Sequence, residues 1–185
     1  MPQYAVVAYV RDPVGRFLEE LRRELYPQHS HLPAHLTMLP PRQLLGGDPA
    51  AAEAAAVEAL QALCREVEPF EVTLGEVASF APVTPTVFLQ IEHGAYRMRE
   101  LHDRLNLALF QQDEPWPYMP HFTVIKMDTL PEAELAFAEA RARWAQYRDT
   151  RRILVDQLTF VREAEGGWVD VAPVRLGKKE LGVSS

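Results

Sequence analysis

The feature that most constrains this chain is a repeated order of elements. Tyr4 to Val10 is apolar throughout, as in a strand covered on both faces, and it ends at Asp12-Pro13. Asp at the N-cap followed by Pro opens a helix, and Val14, Phe17, Leu18, Leu21 and Leu25 then recur at helical spacing up to Pro27. A loop carrying His29 and His31 leads to a strand from His35 to Leu39, where Pro40-Pro41 signals a stop. Asp48-Pro49 repeats the cap and starts an Ala-rich helix to about Val67, and Phe70 to Phe80 reads as extended. The second half runs through the same order: a strand at Thr86 to Ile91, a helix from Gly94 to about Phe110, and a strand at His121 to Met127. Thr129-x-Pro131-Glu132 then resembles a capping box and begins a helix to about Tyr147, with strands expected at Ile153 to Arg162 and Trp168 to Val174.

Each half therefore reads β-α-β-α-β, and the third element of each opens on a His-x-Thr triplet. The expectation is an α+β fold of two pseudo-symmetric lobes around a central cleft. One domain spans residues 1–185, with lobe one at about 1–82, lobe two at about 83–177 and a short C-terminal tail. Only the turn-rich stretch Ala81 to Pro85 separates the halves, so the lobes are expected to pack as one unit.

Residues i and i+2 of a strand share a face, so His35 stands beside Thr37, and His121 beside Thr123. If the lobes meet about a pseudo-two-fold axis, two imidazoles and two hydroxyls converge on one cleft. That set suffices for phosphoryl transfer by acid and base. Imidazole titrates near 6.5, so one copy accepts a proton while the other, kept protonated, delivers one to the leaving oxygen. The hydroxyls donate to the non-bridging oxygens, where charge must be stabilised. With six histidines and eight threonines in 185 residues, about a quarter of one such triplet is expected by chance. Two, 86 residues apart and at the same point of a repeat, are hard to attribute to accident.

The segments Pro33-Ala34-His35-Leu36-Thr37-Met38-Leu39 and Pro120-His121-Phe122-Thr123-Val124-Ile125-Lys126 resemble the two-histidine phosphoesterase superfamily, which includes bacterial 2′-5′ RNA ligases and cyclic nucleotide phosphodiesterases. The resemblance covers nearly the whole chain. It implies a fold of antiparallel-rich sheets facing a cleft, a phosphate site lined by His35, Thr37, His121 and Thr123, and catalysis without a metal or cofactor. It also implies a substrate class: 2′,3′-cyclic phosphates, or 2′-5′ linkages in RNA or small nucleotides. A basic residue shortly after the second motif is common in that family, and Lys126 occupies the place. Strand parity puts Lys126 on the face opposite His121 unless the strand ends or twists first. Arg42, beyond Pro40-Pro41, is a second candidate phosphate contact at a loop on the cleft rim. Tyr118, with Trp116, is a candidate to stack on a base. The rival from another class is a non-catalytic module that holds a nucleotide or RNA end.

Other readings are excluded by residue chemistry. The spacing of His31 and His35 suits a helical zinc pair, but Pro33 between them forbids the helix. No Gly-rich phosphate loop, Cys-x-x-Cys pair or metal-spaced carboxylate cluster is present. Cys64 is alone and sits among Leu60, Leu63 and Val67, the buried side of a helix. His29, His93 and His102 lack matching partners and are read as surface or loop residues. A net charge of −7 without a basic stripe argues against long duplex nucleic acid as a partner. No apolar run is long enough to span a membrane, and Met1-Pro2-Gln3-Tyr4 lacks the features of a secretory leader. A cytoplasmic, monomeric enzyme is the resulting expectation.

Overall fold

A computed structural model describes residues 1–177; the expected C-terminal tail lies outside the described residues. The elements run β1 (Tyr4–Tyr9), α1 (Pro13–Leu25), β2 (His35–Arg42), α2 (Pro49–Cys64), β3 (Phe70–Ser79), β4 (Thr86–His93), α3 (Ala95–Leu105), β5 (His121–Lys126), α4 (Leu130–Gln146), β6 (Arg152–Val155), β7 (Gln157–Ala164) and β8 (Gly167–Arg175). Short 3-10 turns at Pro27–His29 and Ala108–Phe110 follow α1 and α3. The α+β expectation holds: two four-stranded antiparallel sheets form, in the orders β2-β1-β7-β8 and β5-β4-β3-β6.

The sheets are not collinear with the two halves of the sequence. β3, the last strand of the first half, pairs with β4 and β6 in the second sheet, while β7 pairs with β1 in the first. A boundary near residues 82 and 83 divides the sequence repeat, but each sheet draws strands from both sides of it. The run expected as one strand from Ile153 to Arg162 is two: β6 belongs to the second sheet, and after Asp156 the chain crosses to the first as β7. The helices are exchanged in the same way. α3 contacts β2, α1 contacts β5, and Phe17 of α1 packs on Trp144 of α4 and on Tyr147.

Cap chemistry explains the helix starts. Asp48 accepts from the Ala51 amide, and Thr129 from the Glu132 amide, each ahead of an early proline. Asp12 instead turns its carboxylate to the Leu154 amide at 3.3 Å, tying the start of α1 to β6. Gly94 caps α3 at φ 89°, where a Cβ would meet the Glu71 carbonyl at 2.5 Å, so only glycine allows β4 and α3 to turn this closely. α3 ends at Leu105, short of the expected Phe110, because Asn106 leaves helical geometry and Ala108 takes a positive φ.

One continuous apolar core lies behind both sheets, and Leu36 and Phe122, the middle residues of the two motifs, are fully buried in it. Cutting either to Ala would cost about 2–5 kcal/mol. A second, smaller cluster of Ala5, Val7 and Val161, joined by Tyr9 and Trp168, covers the opposite face of the first sheet. Val7 pairs with Thr37 and Tyr9 with His35, so this cluster floors the cleft on the motif-one side.

Candidate active site

β2 and β5 are the edge strands of their sheets, and they run against each other at the centre of the molecule. Each begins on its motif. The burial along both is the same, with a partly exposed His and Thr flanking a buried residue, so each His–Thr pair shares one face of its strand, and His121 is near enough to His35 to act on its titration.

The imidazoles are held identically. His35 Nδ1 donates to the Pro33 carbonyl at 2.7 Å, and His121 Nδ1 donates to the Met119 carbonyl, also at 2.7 Å. This bond to residue i−2 fixes the tautomer and leaves each Nε2 without a partner among the described residues. Neither Nε2 is a buried unpartnered atom, so both open to the groove. The Thr37 and Thr123 hydroxyls likewise bond no protein group among the described residues. Burial pushes the His35 pKa down to about 4, against the bond to Pro33, and the nearby charges of Arg22 and His121 lower it further. Burial lowers His121 too, opposed by its bond to Met119. Both rings therefore hold a proton less readily than a free imidazole.

The rings rest on aromatic walls that the sequence did not single out. Trp168 meets His35 edge-on at 4.7 Å, and its indole N–H donates to the Tyr9 hydroxyl at 2.9 Å, which donates to Asp170 at 2.5 Å. Phe80 and Phe88 meet His121 edge-on at 5.0 and 5.4 Å. Phe88 was reachable in principle, as an inward residue on the strand that pairs with motif two; nothing in the sequence ties Trp168, 133 residues from His35, to the site.

Of the three further candidates, Lys126 is placed by an irregularity. The β4–β5 register passes from Phe88↔Thr123 to Val87↔Ile125, so Val124 is an extra residue and the alternation resets. Lys126 then pairs with Thr86 and lies, exposed, on the face of His121. β2 carries the matching bulge at Met38, since Val7 pairs with Thr37 and Val6 with Leu39. Its residue equivalent to Lys126 is Pro40.

Arg42 is not on the cleft rim. β2 continues through Pro40-Pro41, which an edge strand tolerates at a bulge, and Arg42 ends it with no exposed surface. Its guanidinium donates to Pro40 O, Asn106 Oδ1, Phe110 O and the Glu114 carboxylate, which ties β2 to α3 and the loop after it. Tyr118 is also engaged: its hydroxyl donates to the Thr37 carbonyl at 2.7 Å, and its ring stacks on His102 at 4.1 Å. Trp116 is the exposed aromatic of that loop, at 68%. His102, expected at the surface, is buried, with Nε2 3.0 Å from Glu114. Burial alone would raise the Glu114 carboxyl; bonds from His102 and Arg42 hold it below its usual range. Cys64 is buried as expected, and burial pushes its thiol up to about 12. No group of three His, Cys, Asp or Glu side chains fit to hold a metal occurs among the described residues, and none of the described helices is long and apolar enough to cross a membrane.

Known proteins share this fold. E. coli LigT, crystallised with 3′-AMP, superposes with a TM-score of 0.62 at 14% identity over 96% of this chain and 99% of LigT. TT0787 of Thermus thermophilus gives 0.58 at 18% identity over 96% and 99%. A Halalkalibacterium halodurans protein, provisionally named a phosphoesterase, is 24% identical over 179 residues, 96% of this chain and 99% of its own. The family model of the 2′-5′ RNA ligase superfamily matches residues 10–167, from just after β1 to the first residue of β8, and so takes in both motifs and the strands that carry them. With its two histidines matched in position, orientation and flanking hydroxyls, the chain belongs to that superfamily, the two-histidine phosphoesterases.

Proposed function

We propose that this protein opens 2′,3′-cyclic phosphates, or forms and cleaves 2′-5′ phosphodiester linkages, in RNA ends or small nucleotides. The observation that carries the reading is the matched pair of imidazoles, each pinned at Nδ1 and open at Nε2 on the two facing edge strands. In hydrolysis, one Nε2 takes a proton from water as its oxygen attacks phosphorus, and the other imidazolium protonates the departing ribose oxygen. An RNA 5′-hydroxyl in place of water turns the same steps into ligation. Thr37 and Thr123 donate to the non-bridging oxygens, and Lys126 adds positive charge at the rim.

Before substrate binds, burial disfavours the charged form of both rings. A bound phosphate brings the opposing charge that raises a neighbouring imidazole, so substrate itself arms the acid. The four groups suffice for this cycle without a metal. E. coli LigT has been crystallised with 3′-AMP, NADP+ and ATP, which supports a nucleotide or RNA end as the substrate here. The test is a panel of 2′,3′-cyclic mononucleotides, 2′-5′ dinucleotides and an all-deoxy dinucleotide. Turnover of a ribose substrate with an inert deoxy control is expected. Tight binding of nucleotides with no turnover of any would replace catalysis by simple capture of a nucleotide end.

A further inference from the structure

The two motifs lie on separate sheets, and no ladder joins β2 to β5. Their separation, which decides whether both imidazoles reach one phosphorus, is set by other contacts. The most direct of these is the bond from the Tyr118 hydroxyl to the Thr37 carbonyl, 2.7 Å long and spanning 81 residues of sequence. Thr37 belongs to motif one. Tyr118 stands three residues before His121, and the intervening Met119 supplies the carbonyl that orients the His121 ring.

The tyrosine is itself braced. Its ring lies flat on buried His102, with 5° between the planes. His102 contacts Glu114, and Glu114 accepts from Arg42 at the end of β2. The loop that leads into motif two is thus fastened to β2 at Thr37 and at Arg42. Three residues before His35 the chain carries Leu32, which has no side-chain donor, so the clasp exists on one side only.

We propose that Tyr118 is a positioning residue, whose hydroxyl clasps the approach to His121 onto the edge of β2 and so fixes the distance between the two motifs. The inference rests on both motifs acting on one phosphate. A tyrosine suits the task because its rigid ring carries a single donor at a fixed reach, while the stack on His102 limits the ring's rotation.

Tyr118→Phe keeps the ring and the stack and removes only the donor. Inorganic phosphate is the probe, titrated by NMR, which still reads weak binding. In the otherwise wild-type chain the substitution is expected to weaken phosphate binding by roughly tenfold, the worth of one neutral hydrogen bond, with cooperative unfolding retained. In a His121→Ala chain, where there is no second imidazole left to place, the same substitution should change binding less than about twofold. An equal loss in both backgrounds would mean a merely structural bond and would overturn the proposal, as would no loss in either. A wild-type chain that binds no phosphate would instead overturn the reading of the site, and the clasp with it.

Discussion

On one side of the groove His35 packs against an indole, while on the other His121 is held by two phenyl rings. The backbone is the same on both sides: an edge strand, an Nδ1 bond to residue i−2 and a bulge after the threonine. What differs is chemistry. The segment entering motif one is pinned from α1, where Arg22 donates to the Leu32 carbonyl and Glu19 accepts from the Ala34 amide. The segment entering motif two is pinned by its own Tyr118. Arg22 adds a buried positive charge near His35, whereas motif two places Lys126 in solvent at its rim. Duplication supplies two equivalent imidazoles; unlike surroundings make them unequal, as an acid–base pair requires.

The largest expected effect asks whether the two sides work as one. His35→Ala and His121→Ala should each lower turnover by roughly 10² to 10⁴. The double variant should be little worse, because the loss of one proton-transfer partner leaves the other nothing to complement. Multiplying losses, measured by initial rates on a cyclic nucleotide, would mean two independent sites. The next effect falls on the tie between β2 and the loop before motif two. Arg42→Ala takes away a fully buried guanidinium and one of the two partners of half-buried Glu114, and should cost about 3–5 kcal/mol of stability by denaturant unfolding. A cost within the range of a surface change would show that Arg42 is not the anchor of β2. Thr37→Val and Thr123→Val should be milder, each about a tenfold loss of rate, since water partly replaces a hydroxyl donor. Wild-type rates in both would reduce the threonines to strand formers.

A further effect concerns His35 in the folding equilibrium. The folded protein holds His35 at about 4 against 6.5 for the ordinary imidazole, so between these values the unfolded chain binds more protons. Its contribution to stability is complete above about pH 6.5 and is lost as pH falls through that window to about 4. Unfolding measured from pH 7 to 4 should therefore show a slope that His35→Gln flattens. An unchanged slope in that variant would place the linked protons elsewhere.

The motifs, the element order and the sidedness of His and Thr were legible because each depends on local spacing: two residues for a strand face, three or four for a helix face. Lys126 was not, since one extra residue at Val124 reverses parity and a bulge leaves no local mark in a run of apolar residues. Arg42 was misread for a related reason. Pro40-Pro41 signals a strand stop where the strand is internal, but β2 is an edge, and edge position is a tertiary property. The exchange of β3 and β7 between sheets was likewise hidden, because pairing partners are chosen by the whole chain. The contacts of Trp168, Phe80 and His102 were visible only with that topology on view.

The central claim is that two unequal histidines perform one acid–base reaction on a phosphate, and the pH dependence of kcat and of kcat/KM, with and without EDTA, tests it most directly. kcat/KM reports the free protein, in which both imidazoles titrate below their ordinary value, so its bell should be centred on the acid side of 6.5. The bell in kcat should lie at higher pH, because bound phosphate restores protonation, and the apparent values belong to the pair. Neither curve should change on chelation. A single-limbed profile, or activity that EDTA abolishes and added metal restores, would contradict the two-histidine mechanism.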